Sequence, residues 1–228
     1  MPRVFRRIRG IKTNDQQPLQ PPPIESKTVD KYEGKTRQQW WEDKFKKQAV
    51  LYKAQYNSVR DVRNFIFDQS YILEDVIKRY KLKGIDDNDT VFKCYLFVLD
   101  HIKYVSDEVS KGQPEYWKYP EDTLNDANAD CEDMAILIKS LSLCAGVPDW
   151  KVKILAGMVK EGGHAFCTYI RDDDTQCILD SAYWPNRLPI NKRRTIKEEI
   201  NYKEIFFSFT RKYSYAGRKM LYDASLFD

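Results

Sequence analysis

The sequence predicts an α+β fold in which helices come first and an antiparallel sheet follows. Three observations carry this. Segments of helical period run between Arg37 and Ala145, three short β-favouring runs lie between Val152 and Asp180, and a polar Asp172-Asp173-Asp174 turn joins the last two of those runs. At 228 residues, 42% of them hydrophobic, the chain is long enough for one sizeable core with appendages.

Residues 1–36 read as an extended, basic arm. Arg3, Arg6, Arg7, Arg9 and Lys12 precede the first acid, Asp15, and Pro21-Pro22-Pro23 cannot donate backbone hydrogen bonds. The apolar residues Val4, Phe5, Ile8, Ile11, Leu19 and Ile24 keep no period. Such a segment cannot offset an ordering cost of ~1–2 kcal/mol per residue alone. It is expected to dock on a protein partner or assembly, with nucleic acid as the alternative acidic landing site.

Residues 37–106 read as a helical region. Trp41, Phe45, Ala49, Tyr52 and Tyr56 make one apolar stripe, and Ser58 with Asp61 suggests a second helix start. Ile72, Val76 and Tyr80 mark a further helix closed by Gly84, and the apolar run from Val91 to Val105 reads as a buried one. Residues 107–210 read as the core. Within it, Met134, Leu137, Ile138, Leu141 and Ala145 give a helix from Cys131, stopped by Gly146 and Pro148. Strands are expected at Val152–Val159, His164–Ile170, Gln176–Asp180 and Ile205–Phe209, and residues 211–228 read as a polar tail.

Composition narrows the function. A net charge of +4 does not by itself imply nucleic acid, and no run approaches the ~18 apolar residues of a membrane helix. The basic start has no apolar run behind it, so no secretory signal is read there. Cys94, Cys131, Cys144, Cys167 and Cys177 are odd in number without Cys-x-x-Cys spacing, which argues against zinc and disulfide frameworks and for a reducing, cytoplasmic setting.

Three polar positions stand out. Cys131 opens a helix in Asp130-Cys131-Glu132-Asp133, where the helix dipole favours a thiolate and unpaired N–H groups suit an oxyanion. Glu132 and Asp133 oppose that charge, so a protonated His164 is needed beside the sulfur. His164 follows Gly162-Gly163, where the backbone can approach a substrate closely, and Asp180 ends a strand from which it can orient the imidazole. Cys144, Cys167 and Cys177 read as packing, and His101 as structural. Tyr116, Trp117, Gly163, Tyr183 and Trp184 flank the expected cleft and are candidate substrate contacts. Lys192-Arg193-Arg194 is followed by Glu198-Glu199 and reads as a solvated face.

Several segments together resemble one known family. They are Tyr116-Trp117-Lys118-Tyr119-Pro120-Glu121-Asp122-Thr123-Leu124, Ala129-Asp130-Cys131-Glu132-Asp133-Met134-Ala135, Ala145-Gly146-Val147-Pro148, Gly162-Gly163-His164-Ala165-Phe166 and Leu179-Asp180-Ser181-Ala182-Tyr183-Trp184-Pro185. They are similar to the transglutaminase-like cysteine proteinases of bacteria and tailed phages, on the papain-related fold. One departure is Asn128-Ala129 before the Asp-Cys pair, where the family commonly has glycine.

The resemblance implies a thiol hydrolase acting on an amide bond of a protein or peptide, through Cys131, His164 and Asp180 and an acyl-enzyme. Transfer to an amine, or a papain-like scaffold kept for binding in a virion, are the rival readings. Some relatives bind calcium near the nucleophile. Asp130, Glu132 and Asp133 alone fall short of the 6–8 oxygens calcium takes, and helix capping accounts for them, so no cofactor is expected.

Overall fold

The structure is a computed structural model that describes residues 30–45, 48–55, 58–160 and 162–220. Most of the arm, with its expected docking role, lies outside the described residues, as does Tyr56. Internal contacts divide the chain into two compact units, 1–34 and 35–228. The described part of the first is a turn in which the Asp30 carboxylate accepts the N–H groups of Tyr32 at 3.0 Å and Gly34 at 2.6 Å.

The second unit opens with a short helix, α1 (Arg37–Glu42), capped by a reciprocal Thr36–Gln39 pair. The long helix expected over residues 41–56 does not form. Strands β1 (Leu51–Gln55) and β2 (Ser58–Asp61) form an antiparallel pair instead. The apolar residues of the expected stripe serve two separate places. Trp41 and Phe45 pack with Trp150, Ile170 and Tyr213, whereas Tyr52 packs against the main core, beside Val50, which lies outside the stripe. One straight helix would send them all in one direction, so tertiary packing overrides the periodicity. Asp61, read as part of a helix start, caps a 3₁₀ turn at Val62–Phe65 by accepting the Arg63 N–H at 3.0 Å.

Helix α2 (Tyr71–Arg79) starts at Ser70, whose hydroxyl accepts the Leu73 N–H, and buries Leu73 and Ile77. It is stopped by Lys81 in the left-handed region (φ 53°), ahead of Gly84. Gly84 instead lets the chain lie against Asp89, whose Oδ2 would stand 2.4 Å from any added Cβ. Helix α3 (Asp87–His101) ends before the expected Val105. Residues 103–105 are drawn into parallel pairing between β3 (Lys103–Tyr104) and β4 (Asn128–Ala129), with Val105 N–H donating to the Ala129 carbonyl at 2.9 Å. The short helices α4 (Asp107–Ser110) and α5 (Pro120–Asp126) lie between them in sequence.

Helix α6 (Cys131–Cys144) is the centre of the fold, with every side chain from Glu132 to Ser142 buried. Gly146 (φ 101°) and Pro148 end the segment as the sequence requires. A five-stranded antiparallel sheet follows: β5 (Val152–Val159), β6 (Gly162–Ile170), β7 (Gln176–Leu179), β8 (Tyr202–Phe209) and β9 (Ser214–Met220). Its order is β7-β6-β5-β8-β9. Residues 214–220, read as tail, are therefore an edge strand. Helix α6 packs on the β5–β6 face, with the Cys167 thiol donating to the Ala135 carbonyl. One hydrophobic cluster runs from Val50 to Phe209, so helices and sheet share a core in an α+β fold. No helix among the described residues is long and apolar enough to cross a membrane.

One ion pair ties the layers together. Lys139, buried in mid-α6, donates to Asp149 Oδ1 at 2.9 Å and to the Asp149 carbonyl at 2.7 Å. The same carboxylate accepts the Thr210 hydroxyl at 2.8 Å and the N–H groups of Arg211 and Lys212 at 2.9 and 3.1 Å. Burial opposes ionisation of Asp149, but Lys139 and these donors outweigh it and hold the carboxyl below its ordinary value.

Replacing Asp149 by Asn should cost about 3–5 kcal/mol near pH 7, measured by urea unfolding, because Lys139 is left buried without its counter-charge. The folded-state pKa is depressed, so the stabilisation is complete above the unfolded-state value of about 3.9 and fades as pH falls through the folded-state value. The gap in Tm between wild type and variant should therefore narrow as pH drops below about 4. A gap independent of pH would contradict the pairing.

Candidate active site

Antiparallel register places the site. Gly157 lies opposite His164 on β5 and β6, and Cys167 lies opposite Leu179, so Asp180 leaves β7 alongside the His164 end of β6. Gly157 is demanded by contact, since an added Cβ would stand 2.1 Å from the Glu204 carbonyl oxygen of β8. The N-terminus of α6 delivers Cys131 to the same place. Cys131, Glu132, Ala156, Gly157, Gly163, His164 and Ala165 line one cavity of about 290 Å³, with Tyr52, Glu115, Trp117, Phe206 and Phe207 completing the wall.

His164 is buried, and its Nε2 lies 2.8 Å from Asp180 Oδ2. With Asp180 ionised, that nitrogen carries the proton, leaving Nδ1 as the acceptor of the neutral ring. Nδ1 is buried and has no hydrogen-bond partner. Asp180 also accepts the N–H groups of Ala182 at 2.9 Å and Tyr183 at 3.1 Å on Oδ1, and the Tyr202 hydroxyl at 2.8 Å on Oδ2. Burial works against the charge, but the bond from His164 leads the donors that hold Asp180 below the usual carboxylate range.

Cys131 is partly buried, and its thiol donates to Glu132 Oε2 at 3.4 Å. Burial, then the charges of Glu132 and Asp130, push its pKa well above the ordinary thiol value, against a hydrogen bond from the Ala165 N–H. Burial, together with the flanking acids that the sequence already set against a thiolate, thus outweighs the helix start.

Those acids are not helix caps. Asp130 makes no side-chain cap bond, and Asp133 Oδ1 accepts the Lys118 backbone N–H at 2.6 Å. Asp130 and Glu132 gather instead with Asp107 of α4, a residue the sequence reading passed over. One carboxylate oxygen from each lies within 4.8 Å of the others. Asp107 Oδ1, Asp130 Oδ1 and Glu132 Oε1 are buried without hydrogen-bond partners. Burial and the mutual charges raise Asp130 to about 7 and Glu132 well above its usual value.

The expected substrate contacts divide. Trp117 and Gly163 line the cavity. Trp117 is also core, 2% exposed and packed on Tyr52, Phe65, Phe207 and Phe209. Tyr183 meets the His164 ring edge-on at 4.4 Å. Trp184 lies behind the pair, over Tyr202 at 5.3 Å. Tyr116 is not among the cavity residues; its N–H donates to Asp107 Oδ2 and its ring receives the Lys111 ammonium at 5.3 Å. All five cysteines are free. Cys94, Cys167 and Cys177 are buried, and Cys144, expected in the core, is half-buried with its thiol near the Phe67 carbonyl. His101 is exposed at the end of α3, stacked on Phe97 at 4.4 Å.

Residues 86–186 match the family described as bacterial transglutaminase-like cysteine proteinase. Among solved structures, the chain is similar to LapG of Legionella pneumophila, at 22% identity over 64% of this chain and 76% of that one, with a TM-score of 0.51. The EGTA-treated form of LapG aligns at 20% identity over 69% and 83% of the two chains, TM-score 0.51. A calcium-bound form aligns at 20% identity over 64% and 90%, TM-score 0.42. No curated protein matches. The chain shares the α+β fold of these structures.

The cysteines should separate by thermal melting. Cys131→Ala should stay within about 1 kcal/mol of wild type, being partly exposed at a helix start, while Cys167→Ala should lose about 1–3 kcal/mol in the packed α6–β6 contact. Cys144→Ser should be near neutral, because a hydroxyl there finds the Phe67 carbonyl. Equal losses for Cys131 and Cys167 would contradict the placement of Cys131 in the cleft.

Proposed function

We propose that the chain hydrolyses an amide bond of a protein or peptide, with Cys131 as nucleophile, His164 as general base and acid, and Asp180 as the group that orients the imidazole. One observation carries this reading: a helix-start thiol and an imidazole share a cavity, and the imidazole's Nε2 is held by a buried carboxylate while Nδ1 has no partner. Nδ1 takes the thiol proton as sulfur attacks the carbonyl carbon, and N–H groups of the first turn of α6 face the developing oxyanion. The imidazolium then protonates the departing amine, leaving an acyl thioester on Cys131. His164 next takes a proton from water, whose attack releases the acid and restores the thiol.

The acid pocket bears on this chemistry, because two of its carboxylates, Glu132 and Asp130, help to hold the proton on the sulfur. Asp107, Asp130 and Glu132 fit a hard divalent cation such as calcium: oxygens within 4.8 Å of one another, buried, and lacking hydrogen-bond donors. When bound there, the cation neutralises the carboxylates that oppose thiolate formation. The remaining oxygens of its shell would come from backbone carbonyls or water.

Activity against unfolded proteins, followed by appearance of new amino termini, tests the triad. Cys131→Ala and His164→Ala should each lower kcat by about 10³-fold or more, and Asp180→Asn by about 10²–10⁴-fold, with folding retained. Activity that survives Cys131→Ala would end the proposal. Incorporation of an amine into the product, without new amino termini, would show transfer instead of hydrolysis. Iodoacetamide labelling with peptide mapping separates an enzyme from a binding scaffold: an enzyme modifies first at Cys131, a scaffold no faster there than at the other cysteines.

Calcium should raise the Tm of the wild type, by about 2.7 kcal/mol of stability at a hundredfold excess over Kd, and EGTA should reverse it. Asp107→Asn should remove the response. A Tm indifferent to calcium would remove the cation from the reading.

A further inference from the structure

Asp180 receives more than the imidazole. Its Oδ1 is taken by two backbone N–H groups of its own turn, while Oδ2 is shared between His164 Nε2 and the Tyr202 hydroxyl, each at 2.8 Å. Tyr202 enters from β8, across β5 from the strand that carries His164. Asp180, His164 and Tyr202 are 2%, 4% and 7% exposed. The phenol is gripped on several sides: Phe166 lies 4.4 Å from its ring, Trp184 5.3 Å, and the His164 ring is stacked at 6.5 Å. Burial, then the charge of Asp180, raises its pKa, so it stays a protonated donor throughout the neutral range.

We infer that Tyr202 is a positioning residue of the site: by donating to the same carboxylate oxygen that holds His164, it fixes the imidazole's orientation and limits how strongly Asp180 favours the imidazolium. This rests on the reading of His164 and Asp180 given above. The chemistry is competition for one oxygen. Two donors on Oδ2 divide its negative charge, so each bond is weaker than it would be alone. Removing the phenol returns that charge to the imidazole. The protonated form of His164 is then favoured, and its pKa rises.

The other titratable and charged groups around the pair are few and fixed. From α3, the Tyr95 hydroxyl donates to the Asp180 carbonyl at 2.8 Å. Arg193 lies over the Tyr95 ring at 4.6 Å and donates to the Ile178 carbonyl at 3.1 Å. Glu199, before β8, shares a small cavity with Asp180 and Tyr202. Tyr183 meets His164 from the Asp180 turn, Cys167 underlies the pair from β6, and Cys131 and Glu132 face His164 across the main cavity. Of these, only the Tyr183 backbone N–H donates to the carboxylate, on Oδ1, so Tyr202→Phe removes one side-chain bond to Oδ2 and leaves the rest of the field in place.

The chain has two histidines, so imidazole titration by NMR reads His164 directly, with exposed His101 as internal control and His101→Gln for assignment. The experiment uses the full chain with EGTA present and needs no substrate. Tyr202→Phe should raise the His164 pKa by roughly 0.5–1 unit and leave His101 unmoved. Where the protein cleaves a substrate, the acid limb of kcat/KM should move up by a similar amount. A second variant, Tyr95→Phe, removes a neighbouring buried hydroxyl that does not touch the carboxylate. It should lower Tm without moving His164. If Tyr202→Phe lowers Tm but leaves the His164 titration in place, or if Tyr95→Phe moves it equally, Tyr202 is only packing and the inference falls. Because the titration needs no turnover, its failure is distinct from a failure to find peptidase activity.

Discussion

Burial of α6 from Glu132 to Ser142 is the constraint on which the rest of the structure depends. A helix hidden along most of its length cannot leave polar side chains to water, yet this one carries Glu132, Asp133, Lys139, Ser140 and Ser142. Ser142 turns back on the Ile138 carbonyl of its own helix, and the others need partners from elsewhere. Lys139 takes Asp149 and through it the β8–β9 turn, Ser140 takes the Phe67 N–H at 3.1 Å, and Asp133 takes the backbone of Lys118. These bonds fix the helix along its axis, and its first residue is Cys131. The position of the thiol relative to β6 follows from groups far from the cleft.

Around the first turn of the helix, the logic reverses. Asp107, Asp130 and Glu132 converge with buried oxygens that no protein donor reaches. Beside a helix that pairs most of its buried polar groups, a cluster of carboxyl groups with unpartnered oxygens marks a place built around something else. The electrostatics of the thiol are set there more than by the helix dipole, which is worth at most ~2 kcal/mol in favourable settings.

Much of this was legible in the residues. The Cys131 helix, its Gly146-Pro148 stop and the β5–β7 runs follow from local period and turn chemistry, and the Asp173 turn closes as expected, with its carboxylate accepting the Thr175 N–H at 2.9 Å. The β1–β2 pair was not legible, because Trp41 and Val50 are sent to different clusters only by the tertiary fold. Asp107 and Tyr202 were missed for a related reason. They stand 24 and 22 residues from Cys131 and Asp180 respectively, in segments with no motif of their own. Residue order shows which groups can do chemistry; it does not show which distant groups supply the field in which they do it. Capping accounts for the acids flanking Cys131 in the sequence, whereas in the structure the Asp130 side chain caps nothing.

The protonated thiol has a consequence for durability. Peroxide, like an amide carbonyl, is attacked by thiolate and hardly at all by thiol, and a cysteine oxidised beyond the sulfenic acid is lost. A sulfur that keeps its proton through burial and through Glu132 and Asp130 is shielded from that loss while the acid pocket retains its charge. The arrangement that restrains the nucleophile therefore also preserves it, and oxidative vulnerability begins only when the restraint is lifted.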